Sequence, residues 1–202
     1  MNQREQQKKA TIRRILTAAQ TLFMNHGYAA VTTRMIADAA GVQQPLLYHY
    51  YKTKEALYLA VVMDVSETMA AKIIREQADE QHFVAKVRRL GHVLTDDHTM
   101  NLQLVLHDIG NLDDAVRQSV FQAWQTGLLA PLDRFFGAFK KQLAPTYQIR
   151  EITLYFLTVL AAYLQPAQPD HAGTGFQRQL SMDRALAMFC TGVMQGDGAA
   201  HQ

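Results

Sequence analysis

Residues 31–57 read V-T-T-R-M-I-A-D-A-A-G-V-Q-Q-P-L-L-Y-H-Y-Y-K-T-K-E-A-L. This spacing predicts two short helices joined by a tight turn, then the start of a third. Thr32 is placed to N-cap the first helix, because its hydroxyl can accept from backbone N–H groups two or three residues on. Met35, Ile36 and Ala39 recur at helical spacing and are expected on one apolar face. Gly41 supplies the left-handed residue that ends the helix, with Val42 packing back under the turn. The second helix opens at Gln43 or Gln44, with Pro45 in its first turn, where a missing N–H is no loss. Leu47 and Tyr51 are expected to face inward, which leaves Gln44, Pro45, Leu46, Tyr48 and His49 outside. The arrangement is a helix-turn-helix whose second helix is a candidate for a DNA major groove.

A glycine turn between short helices also occurs in proteins that never meet DNA, so the residue types beyond the turn decide. An ordinary amphipathic helix turns Glu and Lys outward. This one turns out Gln, Tyr and His, groups that hydrogen-bond to bases and phosphates. Lys52 and Lys54 follow, within reach of a flanking phosphate.

The stretch resembles the DNA-binding domain of TetR-type transcriptional regulators: Thr before an Ile-Ala pair, Ala-Gly-Val, Leu-Tyr, an aromatic cluster, then a Lys-x-Ala-Leu-like run. T-T-R at Thr32 to Arg34 and Q-P-x-L-Y at Gln44 to Tyr48 are similar to the tetracycline repressors themselves. Leu46 departs from the usual Thr, which removes a hydroxyl able to bind phosphate. His49 and Tyr50 differ from those repressors' aromatic pair, so the operator need not be shared. The resemblance implies an all-α chain, with a three-helix DNA-binding domain over residues 1–55 and a larger helical effector-binding and dimerisation domain over 56–202. It also implies a double-stranded DNA operator, a small-molecule effector of unknown identity, a homodimer and no cofactor. Arg34 and Gln44 are expected to read base edges, and Pro45 to touch a thymine methyl. Thr33, Tyr48, Tyr50 and Lys54 are expected to hold phosphates, with His49 able to do either. Thr32, Gln43 and Leu46 complete the expected DNA-facing surface.

Composition is compatible with these expectations. The 202 residues are 49% hydrophobic with only 11 Gly and 5 Pro, which favours a helical fold. The net charge of +2 is unevenly placed: residues 1–55 hold eight basic residues against Glu5, Asp38 and Glu55. A basic head on a mildly acidic body fits polyanion binding by the head alone. The single cysteine, Cys190, excludes an intramolecular disulfide and points to a reducing compartment. With no signal-like or membrane-spanning stretch, the expected location is the cytoplasm.

Along the rest of the chain, residues 1–9 read as a solvated terminus and a first helix as Ala10 to Asn25, stopped at Gly27. A long helix over Lys54–Gln77 begins beside the recognition helix and is the element able to transmit a shift. Helical stripes follow at Phe83–Asp96, Leu102–Ile109, Asp113–Leu128 and, past a kink at Pro131, to Leu143. His92, Asp96, Asp97 and His98 read as helix-end capping and solvation rather than a metal site. Residues 152–164 are apolar nearly all round, which requires burial on both faces. A subunit interface is therefore expected from Ile152, Phe156, Val159, Leu160 and Tyr163 together with Leu186, Phe189 and Val193 of the last helix, Ser181–Gln195. An effector pocket is expected from Met63, Leu106, Phe121, Trp124 and Tyr155 with the polar His107 and Gln125; the alternative is a solid aromatic core. Residues 165–175 read as a flexible connection and 196–202 as a disordered tail.

An enzyme is the competing class, and its signatures are missing: no P-loop, G-x-S-x-G, H-E-x-x-H or paired cysteines. A non-specific DNA-compacting protein would carry more positive charge. The expected function is therefore a sequence-specific regulator, usually a repressor, released from a palindromic operator by its effector.

Overall fold

The computed structural model describes residues 3–76, 82–95, 108, 110, 112–163 and 180–194. Its helices are α1 (Gln3–Ala30), α2 (Thr33–Ala40), α3 (Gln44–Tyr50), α4 (Lys54–Glu76), α5 (Phe83–Thr95), α6 (Asp114–Trp124), a π-helical turn (Gln125–Leu129), α7 (Ala130–Ala138), α8 (Ile149–Ala161) and α9 (Met182–Val193). The fold is all-α; an isolated antiparallel bridge joins Leu143 and Met194. Among the described residues no helix is long and apolar enough to cross a membrane, and no three His, Cys, Asp or Glu are grouped to hold a metal. His92 instead lies 3.0 Å from Asp183; Asp96, Asp97 and His98 are outside the described residues.

The chain divides into two compact units, one of residues 1–65 and 99–124, the other of 66–98 and 125–202. The first reaches beyond residue 55 because the start of α4 completes its core: Leu57, Tyr58, Val61 and Val62 are buried along with Ile15, Phe23, Ile36 and Leu47. Phe23, Tyr28 and Tyr58 form its aromatic centre, with ring centroids 5.1–6.0 Å apart. α1 begins at Gln3, not at Ala10. The Q-R-E-Q-Q-K-K run contains no helix breaker and consists of residues that lose little rotamer freedom in a helix, so it extends α1 as an exposed helical stem. Gly27 interrupts α1 as expected, at φ 80°, where a Cβ would be strained.

In α2 the buried face is Thr33, Ile36, Ala37 and Ala40, while Met35 and Ala39 are exposed. The expected face was displaced by one residue. The cap at Thr32 sets the helix phase, and positions 33, 36/37 and 40 are the i, i+3/4, i+7 set that follows from it.

The second unit is built on a phenylalanine cluster. Phe136 lies within 5.2–6.3 Å, centroid to centroid, of Phe83, Phe135, Phe156 and Phe189. Asp133 ties α7 to α8 by an ion pair to Arg150 at 2.6 Å and by accepting from the Thr153 hydroxyl at 2.7 Å. The expected kink at Pro131 is spread over the π-turn that precedes it. Proline cannot donate to the carbonyl four residues back and its ring clashes there, and widening to i→i+5 spacing relieves this. Cys190 is buried, which pushes its thiol up to about 11 and leaves it inert.

Most residues expected at a subunit interface are buried inside the single chain. Ile152, Phe156, Leu160, Leu186, Phe189 and Val193 are all at most 3% exposed within the single chain. They are this unit's own core. Val159 and Tyr163 are half-buried, the latter donating its hydroxyl to the Leu180 carbonyl at 3.0 Å. The apolar residues left facing solvent on α8 and α9 are instead Leu154, Tyr155 and Met188, 49–62% exposed.

Candidate nucleic-acid interface

The reading surface is assembled by local backbone chemistry. The Thr32 hydroxyl accepts from the Met35 N–H at 3.2 Å and starts α2. Gly41, at φ 63° and ψ 39°, ends it, while the Gly41 and Val42 N–H groups donate back to the Asp38 and Ala37 carbonyls at 3.2 and 3.0 Å. This satisfies carbonyls that a helix end otherwise leaves open. Gln43 N-caps α3, its carbonyl accepting from Leu46 and Leu47, and Pro45 occupies the first turn. Leu47 is fully buried and anchors α3 to the core.

That anchor leaves Gln43, Pro45, Leu46, Tyr48 and His49 exposed, with Gln44 and Tyr50 half-buried. Arg34, the second residue of α2, is exposed, as is Lys52. Leu46, 39% exposed, offers only an apolar contact. The His49 and Tyr50 rings meet edge to face at 5.2 Å. Between Val31 and Lys54 the only acidic residue is Asp38, so the exposed face of α3 presents hydrogen-bonding groups without a carboxylate to repel phosphate.

Thr33 differs from its expected part. It is 9% exposed. Its hydroxyl accepts from Gln44 Nε2 at 3.1 Å and lies 3.0 Å from the Tyr48 hydroxyl, so it is turned into the two-helix frame rather than toward a backbone phosphate. Lys54 sits with its ammonium 4.2 Å from the centre of the Tyr28 ring, and partial burial holds its pKa below the usual lysine value. A cation over a ring face keeps its charge while losing rotamer freedom.

Three residues outside the expected DNA-facing set support this end of the fold. The Tyr28 hydroxyl donates to Glu55 in a short hydrogen bond. Burial, then that bond, push the tyrosine up, and the same bond pulls the Glu55 carboxyl down. The buried Asp108 accepts from the Tyr28 N–H at 2.7 Å. Tyr28 follows directly on the left-handed Gly27, and its freed N–H is the one signal that a partner was needed.

Of the residues expected at an effector pocket, Phe121 and Trp124 meet edge to face with ring centroids 6.2 Å apart. Met63, Phe121 and Tyr155 are 48–50% exposed, Gln125 is exposed and only Trp124 is buried; Leu106 and His107 lie outside the described residues. In α6 the inward positions are Val120 and Trp124, one turn apart. That register turns Phe121 outward, and Gln125 of the following π-turn is exposed too.

A capped helix, a left-handed glycine turn and an outward second helix define a helix-turn-helix DNA-binding domain. Residues 15–61 match the family model described as bacterial regulatory proteins, tetR family. Over these residues the chain is similar to the DNA-binding domain of that family. It is 34% identical over 64 residues to the HTH-type transcriptional repressor Rv1474c of Mycobacterium tuberculosis, a match covering 32% of this chain and 34% of that protein; the chain thus spans about a third of the length of that curated relative. Its fold is similar to that of Salmonella enterica GusR, with a TM-score of 0.68 at 21% identity, covering 90% of this chain and 94% of the other. It is likewise similar to AibR in a complex with isovaleryl coenzyme A and operator DNA, with a TM-score of 0.65 at 20% identity, covering 90% and 97%.

Proposed function

We propose that this protein is a sequence-specific transcriptional regulator, acting as a homodimeric repressor that leaves a palindromic operator when a small molecule binds its helical body. The observation that carries the reading is the outer face of α3, where the half-buried Gln44 and the exposed Pro45, Tyr48 and His49 form a surface on a helix that itself carries no carboxylate. Arg34 and Gln44 are its base readers; Tyr48, Tyr50 and Lys54 are its phosphate contacts. The dimer forms through the outer faces of α8 and α9, where Leu154, Tyr155 and Met188 would otherwise stay in water. AibR, named above with both an acyl-coenzyme A and operator DNA, supports a ligand-responsive reading of this fold. The continuous α4, which belongs to both compact units, is the element through which occupancy of the body would reach the reading head.

The test is binding to sequences selected from random duplex DNA, compared with unselected DNA over a salt series. A regulator discriminates strongly between the two, whereas a DNA-compacting protein binds both with the same steep salt dependence. Arg34→Ala is expected to weaken the selected site by about 1–3 kcal/mol and relax one base pair per half-site, and Lys54→Ala to weaken all sequences and lower the salt slope by about one. Equal losses for Arg34→Ala on selected and random DNA would reduce Arg34 to a phosphate contact.

A further inference from the structure

We propose that Thr33 is a positioning residue for base readout: its buried hydroxyl pins the Gln44 amide so that Gln44 accepts adenine and rejects guanine. The inference rests on α3 being the recognition helix. Gln44 and Tyr48 are one turn apart on the same side of α3, and Thr33, the first residue of α2, reaches both with a single oxygen. A hydroxyl has one proton and two lone pairs. Having accepted from Gln44 at 3.1 Å, it still bonds Tyr48 at 3.0 Å in either direction, so all three side chains are fixed relative to one another. Thr33 is too buried, at 9% exposure, to serve a phosphate as well.

The consequence follows from counting donors. A glutamine amide has two N–H groups and one carbonyl oxygen. One N–H directed at Thr33 leaves one donor and one acceptor in a fixed plane. Adenine presents one acceptor, N7, and one donor, N6–H, to the major groove, which this remainder satisfies. Guanine presents two acceptors, N7 and O6; the pinned amide can serve only one, and its carbonyl oxygen is set against the other. A free glutamine could turn both N–H groups toward guanine. Arg34, adjacent to Thr33 in α2, is the residue suited to guanine, so one brace separates the two preferences. Thr32, not Thr33, caps α2, so removing the Thr33 hydroxyl leaves the cap in place.

The experiment selects binding sites from random duplex DNA with wild type, Thr33→Val, Thr33→Ser and Gln44→Ala, then measures each on consensus duplexes carrying A·T or G·C at every position. Helicity and melting are recorded in parallel, with Thr33→Ala as a second hydroxyl-free variant should valine not fold. Wild type and Thr33→Ser are expected to share an A·T preference at one position per half-site, which Gln44→Ala abolishes. Thr33→Val is expected to keep its affinity for random DNA and its salt slope while that one preference falls about tenfold, mainly through better tolerance of guanine. If Thr33→Val weakens every sequence alike, or keeps the preference that Gln44→Ala loses, the pinning role is wrong and the α3 reading stands. If wild type selects no consensus, or Gln44→Ala leaves it intact, base reading by Gln44 fails, and the pinning role with it.

Discussion

Gly127, buried in the π-turn between α6 and α7, offers the sharpest test of the packing. A Cβ added there would sit 2.4 Å from the Ser66 Cβ and 2.7 Å from the Ser66 backbone carbon and oxygen. These atoms belong to the main chain of α4 or its first side-chain atom, so no rotamer change removes the clash. Carbon atoms in contact sit about 3.5–4 Å apart, so Gly127→Ala must separate the π-turn from α4 at Ser66 by about 1 Å. Overpacking of this kind costs about 1–3 kcal/mol, and a contact with backbone belongs at the upper end. Alanine's helical advantage over glycine returns about 1 kcal/mol. The expected net loss is about 1–2 kcal/mol, a melting temperature about 2–8 °C lower for a chain of this size. Gly137→Ala in α7 is the matched control: no atom lies within 4 Å of its added Cβ, so only the propensity remains and stability should rise by up to about 1 kcal/mol. Urea and thermal unfolding followed by circular dichroism, at one protein concentration because self-association would be linked to stability, distinguish the two. Gly127→Ala as stable as Gly137→Ala would refute the close crossing.

The two sides of α9 give opposite outcomes. Met188→Glu, at 62% exposure, is expected to keep its helicity and shift the protein to monomer in sedimentation, whereas Phe189→Glu buries an unpaired charge and should yield unfolded or aggregated protein. Thr32→Ala removes the cap of α2 and is expected to lower stability by about 1 kcal/mol, with fraying of α2 detected by hydrogen exchange. The Tyr28 bond depresses the Glu55 carboxyl, so its contribution is present above the ordinary glutamate pKa and is lost as pH falls through the folded value. Tyr28→Phe should therefore be less stable than wild type near pH 7, by about 1 kcal/mol for a partly exposed charged bond, with the gap closing under acid in urea titrations; a gap independent of pH would disprove the link.

What the sequence determined by itself was chemistry confined to a few consecutive residues. Thr32 as a cap, Gly41 in the left-handed region, Pro45 in the first turn of α3 and the inward Leu47 are all set by neighbours within four positions, where steric and hydrogen-bonding rules act without a partner element. The outward face of α3 followed from the same register, and so did the resemblance that named the domain.

Only the tertiary structure decided which of two apolar faces lies inside. Around α8, Ile152, Phe156 and Leu160 compete with Leu154 and Tyr155, and periodicity is blind to the choice because both faces are hydrophobic. The Phe136 and Phe189 rings settle it by packing against Phe156, and the expected interface becomes core. Trp124 and Phe121 were both expected at a pocket, yet of the two only the tryptophan is buried. Thr33 turned inward because Gln44 and Tyr48, 11 and 15 residues away, come to its hydroxyl, and Tyr28 found Asp108 across 80 residues. A hydrogen-bond donor's need for a partner can be read from a sequence. The partner's identity cannot, because it is fixed by the packing of helices that are distant in the chain.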